Sequence, residues 1–184
     1  WFESGTPTFL LKLIEQQQYN IAEIDTLQIE EMGFNSYEID DLNVLPLLYQ
    51  TGYLTIKGYD PLFRLYQLGF PNYEVENAFL SHLLSRFSEV KTGLSASYLS
   101  QLVQALQKDD FERFFAVLNI FFADIPYDLQ VKVEKYYQTI FYLIFKLIGL
   151  RIQAEVRTNK GRIDAVIELA EGIYLFEFKL DGSA

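Results

Sequence analysis

Arg162-Ile-Asp-Ala-Val-Ile-Glu-Leu169 and Ile173-Tyr-Leu-Phe-Glu-Phe-Lys-Leu180 are the two runs on which the reading of this chain turns. Both carry the two-residue alternation of β-strands, and Glu171-Gly172 between them has turn chemistry, so a hairpin is expected. With Glu171 and Gly172 as a two-residue loop, Ala170 faces Ile173, and counting back pairs Asp164 with Lys179 and Val166 with Glu177. One face then holds Asp164, Glu177 and Lys179. The other holds Ile163, Ala165, Ile167, Leu169, Tyr174, Phe176, Phe178 and Leu180, a nearly continuous apolar surface for a core.

The charged face has the makings of a cation site. Directly opposite positions in such a pair have Cβ atoms roughly 5 Å apart and diagonal positions roughly 7–8 Å, so a divalent ion fits between two carboxylates there. Hard cations such as Mg²⁺ or Mn²⁺ take oxygen ligands, and Asp164 and Glu177 would provide them. Lys179, on the same strand face, is placed to orient an attacking water or to meet charge developing on a phosphate. The plainer account is a cross-strand ion pair between Asp164 and Lys179. Against it stands the apolar flank Leu175-Phe176-Glu177-Phe178-Lys179-Leu180, where burying charge is costly unless the groups pair or bind an ion.

Working outward, residues 129–150 form an expected helix, apolar nearly all round beyond Tyr136, with Gly149 as its terminator. Strands are expected over residues 151–157, 162–169 and 173–180, separated by Asn159-Lys-Gly161 and Glu171-Gly172. Ahead of these lie three helical stripes. Val75, Phe79, Leu83 and Leu84 form one, Tyr98, Leu99, Leu102, Val103 and Leu106 a second, and residues 111–122 a third, capped by Asp109-Asp110 and ended at Ile125-Pro126. The start of the chain predicts a helix over 6–20, opened by Thr6-Pro7, then a short helix at 44–49 behind Asp40-Asp41 that stops before Gly52. A hairpin of 53–57 with 63–68 about Gly58-Tyr-Asp-Pro61 follows, and helix plus hairpin outlines a winged helix.

The expected fold class is therefore α+β: a winged-helix-like segment (1–73), a helical bundle (74–126), and a core of one helix and three strands (127–184). Half of the 184 residues are hydrophobic, which excludes a disordered chain. With no cysteine, a disulfide framework and a thiolate zinc site are excluded, and a reducing cytoplasm is the expected setting. Fifteen Lys+Arg against 25 Asp+Glu leave a net charge of -10, which argues against a broad basic surface for nucleic acid. A site that gathers carboxylates around a cation is compatible with that balance. The run around Ile140 to Leu150, broken by Lys146, is too short to span a bilayer, so no membrane partner is expected. No internal repeat and no P-loop occurs, so this stretch has no nucleotide site of that kind.

Gly161-Arg-Ile-Asp164 followed by Tyr174-Leu-Phe-Glu177-Phe-Lys179-Leu-Asp181, behind the helix Glu134-Lys-Tyr-Tyr-Gln-Thr-Ile-Phe141, resembles the PD-(D/E)XK nuclease domain attached to bacterial AAA-ATPase-like proteins. Trp1-Phe-Glu-Ser-Gly-Thr-Pro-Thr8 and Leu48-Tyr-Gln-Thr-Gly-Tyr-Leu-Thr-Ile-Lys57 are similar to the end of that family's ATPase-like region. The resemblance implies Asp164 and Glu177 as metal ligands, Lys179 as catalytic lysine, and Glu134 as a supporting acid, with a solvent-facing helix residue the alternative for Glu134. It also implies a partial restriction-endonuclease-like core over residues 127–184 and a Mg²⁺- or Mn²⁺-dependent nuclease acting on nucleic acid, DNA first, with ATP entering only through a preceding region. Such domains continue past the second strand with a helix and further strands, so the stretch to Ala184 is expected to be incomplete, inactive alone and prone to self-association through an open strand edge. Gln138 has no assigned role, Glu155 and Glu168 are expected surface charges, and His82 a structural histidine. The competing hypothesis is an inactive interaction or regulatory module, motivated by the acidic charge and the lack of a basic recognition helix within residues 44–70.

Overall fold

The computed structural model describes residues 8–17, 21, 24, 27–35, 44–123, 133–152, 156–158, 163–169 and 172–178, with backbone alone for 32, 35, 133–135, 150–152, 156–158, 163–165, 168–169 and 177–178. It is an α+β chain that divides into two units, Trp1–Phe79 and Leu80–Ala184.

In the first unit, apolar residues at helical spacing turn one face of α1 (Thr8–Gln16) inward through Leu10, Leu11 and Ile14. α2 (Val44–Gln50) tolerates Pro46 because a first-turn residue has no intrahelical N–H bond to lose. Gly52 follows at φ 80, a left-handed position suited to glycine, and its N–H reaches the Tyr49 carbonyl, closing the helix. β2 (Thr55–Asp60) and β3 (Leu65–Gly69) form the expected hairpin. Its turn lies later than expected, however. Gly58 and Tyr59 stay in the strand, across a register shift between Ile56 and Gly58, and the chain reverses over residues 61–64. Asp60 explains the shift: its Oδ1 accepts from Leu62 N–H at 2.8 Å and Phe63 N–H at 3.2 Å, and Arg64 takes a positive φ of 54. Tilted packing of Tyr59 against Tyr66, ring centroids 4.7 Å apart, supports the register above it. A third strand not foreseen from the sequence, β1 (Gln28–Glu30), adds to β3, giving the order β1-β3-β2. Burial pushes the Tyr53 phenol above its ordinary value.

The helical stripes read from the sequence appear as α3 (Tyr73–Ser88), α4 (Thr92–Gln107) and α5 (Phe111–Ile120). Asn72 caps α3 by accepting from Val75 N–H at 2.9 Å, and Asp110 caps α5 by accepting from Arg113 N–H at 3.0 Å. Asp110→Ala is expected to lower unfolding free energy by about 1 kcal/mol, read as a shift in the urea midpoint at unchanged slope.

α6 (Val133–Ile152) corrects two expectations. Gly149 lies inside the helix, buried, and does not end it, and Arg151 and Ile152 are helical. Glycine costs a helix interior about 1 kcal/mol relative to alanine, which the burial of adjacent Leu147 and Ile148 outweighs. The first strand of the second sheet is accordingly short, β4 (Val156–Thr158). β5 (Ile163–Leu169) and β6 (Gly172–Phe178) complete an antiparallel sheet in the order β4-β5-β6.

The caps expected at Thr6-Pro7 and Asp40-Asp41, the break at Ile125-Pro126, the start of the expected helix at 129, and the turn Asn159-Lys-Gly161 lie outside the described residues.

Candidate functional site

The candidate site belongs to the β5–β6 hairpin, and the core beneath decides which face of it is free. Phe176 is buried between Phe114 of α5, ring centroids 5.1 Å apart, and Phe145 of α6, at 5.0 Å. Ile167 is fully buried. The Tyr174 hydroxyl lies 2.9 Å from both the Leu106 carbonyl and an Asp109 carboxylate oxygen, at the α4–α5 turn where Asp109 holds a φ of 53. The apolar face therefore docks as expected. On the other face Ile173 and Leu175 are 67% and 77% exposed.

The register is two residues away from the expected one. Asp164 stands directly opposite Glu177, and Val166 opposite Leu175, where the sequence reading paired Asp164 with Lys179 and Val166 with Glu177. Gly172 explains the difference. It is a strand residue opposite Leu169, so Ala170 and Glu171 make the connection and each pairing shifts by two. Docking of Tyr174 and Phe176 outweighs the local turn preference of Glu171-Gly172. A shift of two preserves side-chain alternation, so Asp164 and Glu177 still share the face opposite the core.

Asp164 and Glu177 are thus brought to one register position, where Cβ atoms are typically about 4.5–5.5 Å apart. Lys179 lies outside the described residues, as does Glu155. Glu134 belongs to the first turn of α6. That turn is held next to α3 through Tyr136, whose hydroxyl donates to the Phe87 carbonyl and whose ring packs on Phe87 at 5.3 Å. Gln138 is half-buried on α6, Glu168 stands opposite Ile173, and His82 is half-buried on α3. Two positions of the sheet were not singled out in the sequence. Tyr174 had a signal, a lone hydroxyl in an apolar strand face. Arg157 stands opposite Val166 on β4, and its place depends on a strand pairing that local pattern does not fix.

A cation-binding reading can be tested against this donor set. Two carboxylates at one cross-strand position would repel each other in an ordinary sheet, and like charges so placed are destabilising. Hard oxygen donors at that spacing fit Mg²⁺ or Mn²⁺. Among the described residues no group of three or more His, Cys, Asp or Glu side chains gathers into a metal-holding cluster, at the hairpin or away from it.

The segment running from α6 through the hairpin is also what comparison with known families picks out. Residues 132–184 match the PD-(D/E)XK nuclease superfamily. The nuclease-superfamily segment thus contains α6, β4, β5 and β6, and with them Glu134, Asp164, Glu177 and Lys179. Over a longer stretch, an uncharacterized protein in the vnfD 5′ region of Azotobacter chroococcum mcd 1 is 32% identical across 190 residues, which cover 98% of this chain. The chain spans 36% of that relative's length. No solved structure matches the chain. No helix among the described residues is long and apolar enough to cross a membrane.

Proposed function

We propose that this chain carries the metal-binding face of a phosphodiester-cleaving nuclease. The observation that carries the reading is the register of the hairpin. Asp164 and Glu177 occupy one cross-strand position, on the face opposite the docked one, within the segment matched to the nuclease superfamily. A nuclease superfamily implies a nucleic-acid substrate, and DNA is the one we propose, in the cytoplasm that the cysteine-free sequence favours.

In this reading Asp164 and Glu177 would hold Mg²⁺ or Mn²⁺. The cation would supply Lewis-acid charge to a phosphoryl oxygen and favour ionisation of the attacking water. Lys179 orients that water and meets the charge growing on the phosphate. The water oxygen bonds to phosphorus as its proton passes to solvent, the ester P–O bond breaks, and the leaving oxygen takes up a proton from solvent. Glu134, from the first turn of α6, supports the carboxylate pair. Strand docking supports the shared face of Asp164 and Glu177: Phe176 and Tyr174 hold one face of β6, and the alternating residues form the other. The resemblance of residues 1–8 and 48–57 to the end of an ATPase-like region supports a second proposal, that ATP enters through a domain preceding these residues.

Lys179→Ala tests the reading. Cleavage of labelled duplex DNA in Mg²⁺, by protein expressed from the whole reading frame, is expected to fall by about a hundredfold or more. Mn²⁺ affinity should be retained. Undiminished cleavage would remove Lys179 from the mechanism.

A further inference from the structure

We infer that Arg157 is a phosphate-holding residue of the Asp164–Glu177 face, gripping a phosphodiester oxyanion beside the carboxylate pair. The inference rests on the nuclease reading above and adds a residue that neither the motif nor the superfamily match assigns a role.

Its basis is the pairing of β4 with β5. Val156 stands opposite Ile167 and Thr158 opposite Ala165, and Ile167 is fully buried. Val156 and Thr158 therefore share the core face, and Arg157, opposite Val166, falls on the other face, with Asp164 and Glu177. Asp164 and Glu168 each lie two residues along β5 from Val166, which makes both of them diagonal neighbours of Arg157 across β4 and β5. Such positions have Cβ atoms roughly 7–8 Å apart, a span a long side chain covers. A substrate phosphate at the carboxylate pair would come within the same reach.

Charge supports the assignment. Among the described residues of the three strands, this face carries Asp164, Glu168 and Glu177, and Arg157 is the single basic one, Lys179 of the sequence reading lying outside them. A chain of net charge -10 that presents acids to a polyanion needs a fixed cation where the phosphate arrives. Guanidinium suits the task, because its planar donors meet two phosphate oxygens at once and it never loses its charge. The competing account is a charge that blocks unwanted pairing at a sheet edge, since β4 lies at one end of the described order β4-β5-β6. An edge charge would leave nucleic-acid binding untouched.

The two accounts separate in a binding titration that involves no cleavage. A fluorescein-labelled duplex DNA is titrated with wild type, Arg157→Gln, Arg157→Lys and Asp164→Asn in Ca²⁺ at several NaCl concentrations, and anisotropy is read. Arg157→Gln is expected to weaken binding by about tenfold and to reduce the slope of log K against log salt by about 0.9, the loss of one phosphate contact. Arg157→Lys should keep the slope and lose several-fold in affinity, since lysine keeps the charge without the two-pronged grip. Mn²⁺ affinity of Arg157→Gln should not fall, which separates phosphate binding from support of the metal site. Repeating the titration with RNA of the same sequence shows which nucleic acid supplies the phosphate. Unchanged affinity and slope in Arg157→Gln, beside a wild type that responds to Asp164→Asn, overturns the role of Arg157 and leaves the nuclease reading standing. No binding of either nucleic acid by wild type overturns both.

Discussion

Exchanging Asp164 for Asn is expected to abolish saturable Mn²⁺ binding to this chain, a loss in affinity of about a hundredfold or more in calorimetric titration. The exchange keeps side-chain shape and removes one anionic oxygen donor from a position directly opposite Glu177. A remaining carboxylate cannot by itself hold a hydrated divalent ion tightly. Folding stability gives a second readout with the opposite sign. Without metal, two carboxylates at one cross-strand position repel, and relief of such repulsion is worth about 0.2–1 kcal/mol. The metal-free variant should therefore be as stable as wild type, or slightly more so. With Mn²⁺ at a hundred times its dissociation constant, wild type alone should gain about 2.7 kcal/mol of unfolding free energy. A stabilising ion pair would behave otherwise, since losing Asp164 would then weaken the metal-free protein. Unaltered Mn²⁺ affinity in Asp164→Asn would end the metal-site reading.

Much of that site was legible in the sequence because β5 and β6 alternate cleanly on both faces. Parity, which decides what shares a face, is a local property of each strand, and it placed Asp164 with Glu177. Register is not local. The chain between the strands favours Glu171-Gly172 as a loop, yet in the observed pairing Tyr174 reaches the α4–α5 turn and Phe176 seats between Phe114 and Phe145. Gly149 misled for the same kind of reason. Its helix-ending preference is a matter of about 1 kcal/mol, within reach of the tertiary burial around it. β1 has three residues, too few to show any period, and is formed by pairing with β3. Arg157 is of this class too, since its face follows from the pairing of β4 with β5.

The division of the hairpin into a docked face and a free one leads to an effect on stability as large as any in this chain. Phe176→Ala is expected to cost about 3–5 kcal/mol, the usual result of deleting a buried aromatic side chain whose neighbours close only partly over the gap. Those neighbours, Phe114 and Phe145, are themselves buried on two different helices, α5 and α6, so neither can move in without leaving other contacts. Leu175→Ala, one residue earlier, should change stability by about 0.5 kcal/mol or less, because that side chain is 77% exposed. Urea denaturation of the two variants reads the contrast directly. It also bears on the site, since Phe176 and Glu177 are consecutive and alternate in facing. If docking of Phe176 is what fixes the opposite face, Phe176→Ala should weaken Mn²⁺ binding as β6 loosens, although no ligand has been touched, and Leu175→Ala should spare it. Equal losses of stability in the two variants would mean that the hairpin has no preferred side, and with that the common face of Asp164, Glu177 and Arg157 would fall.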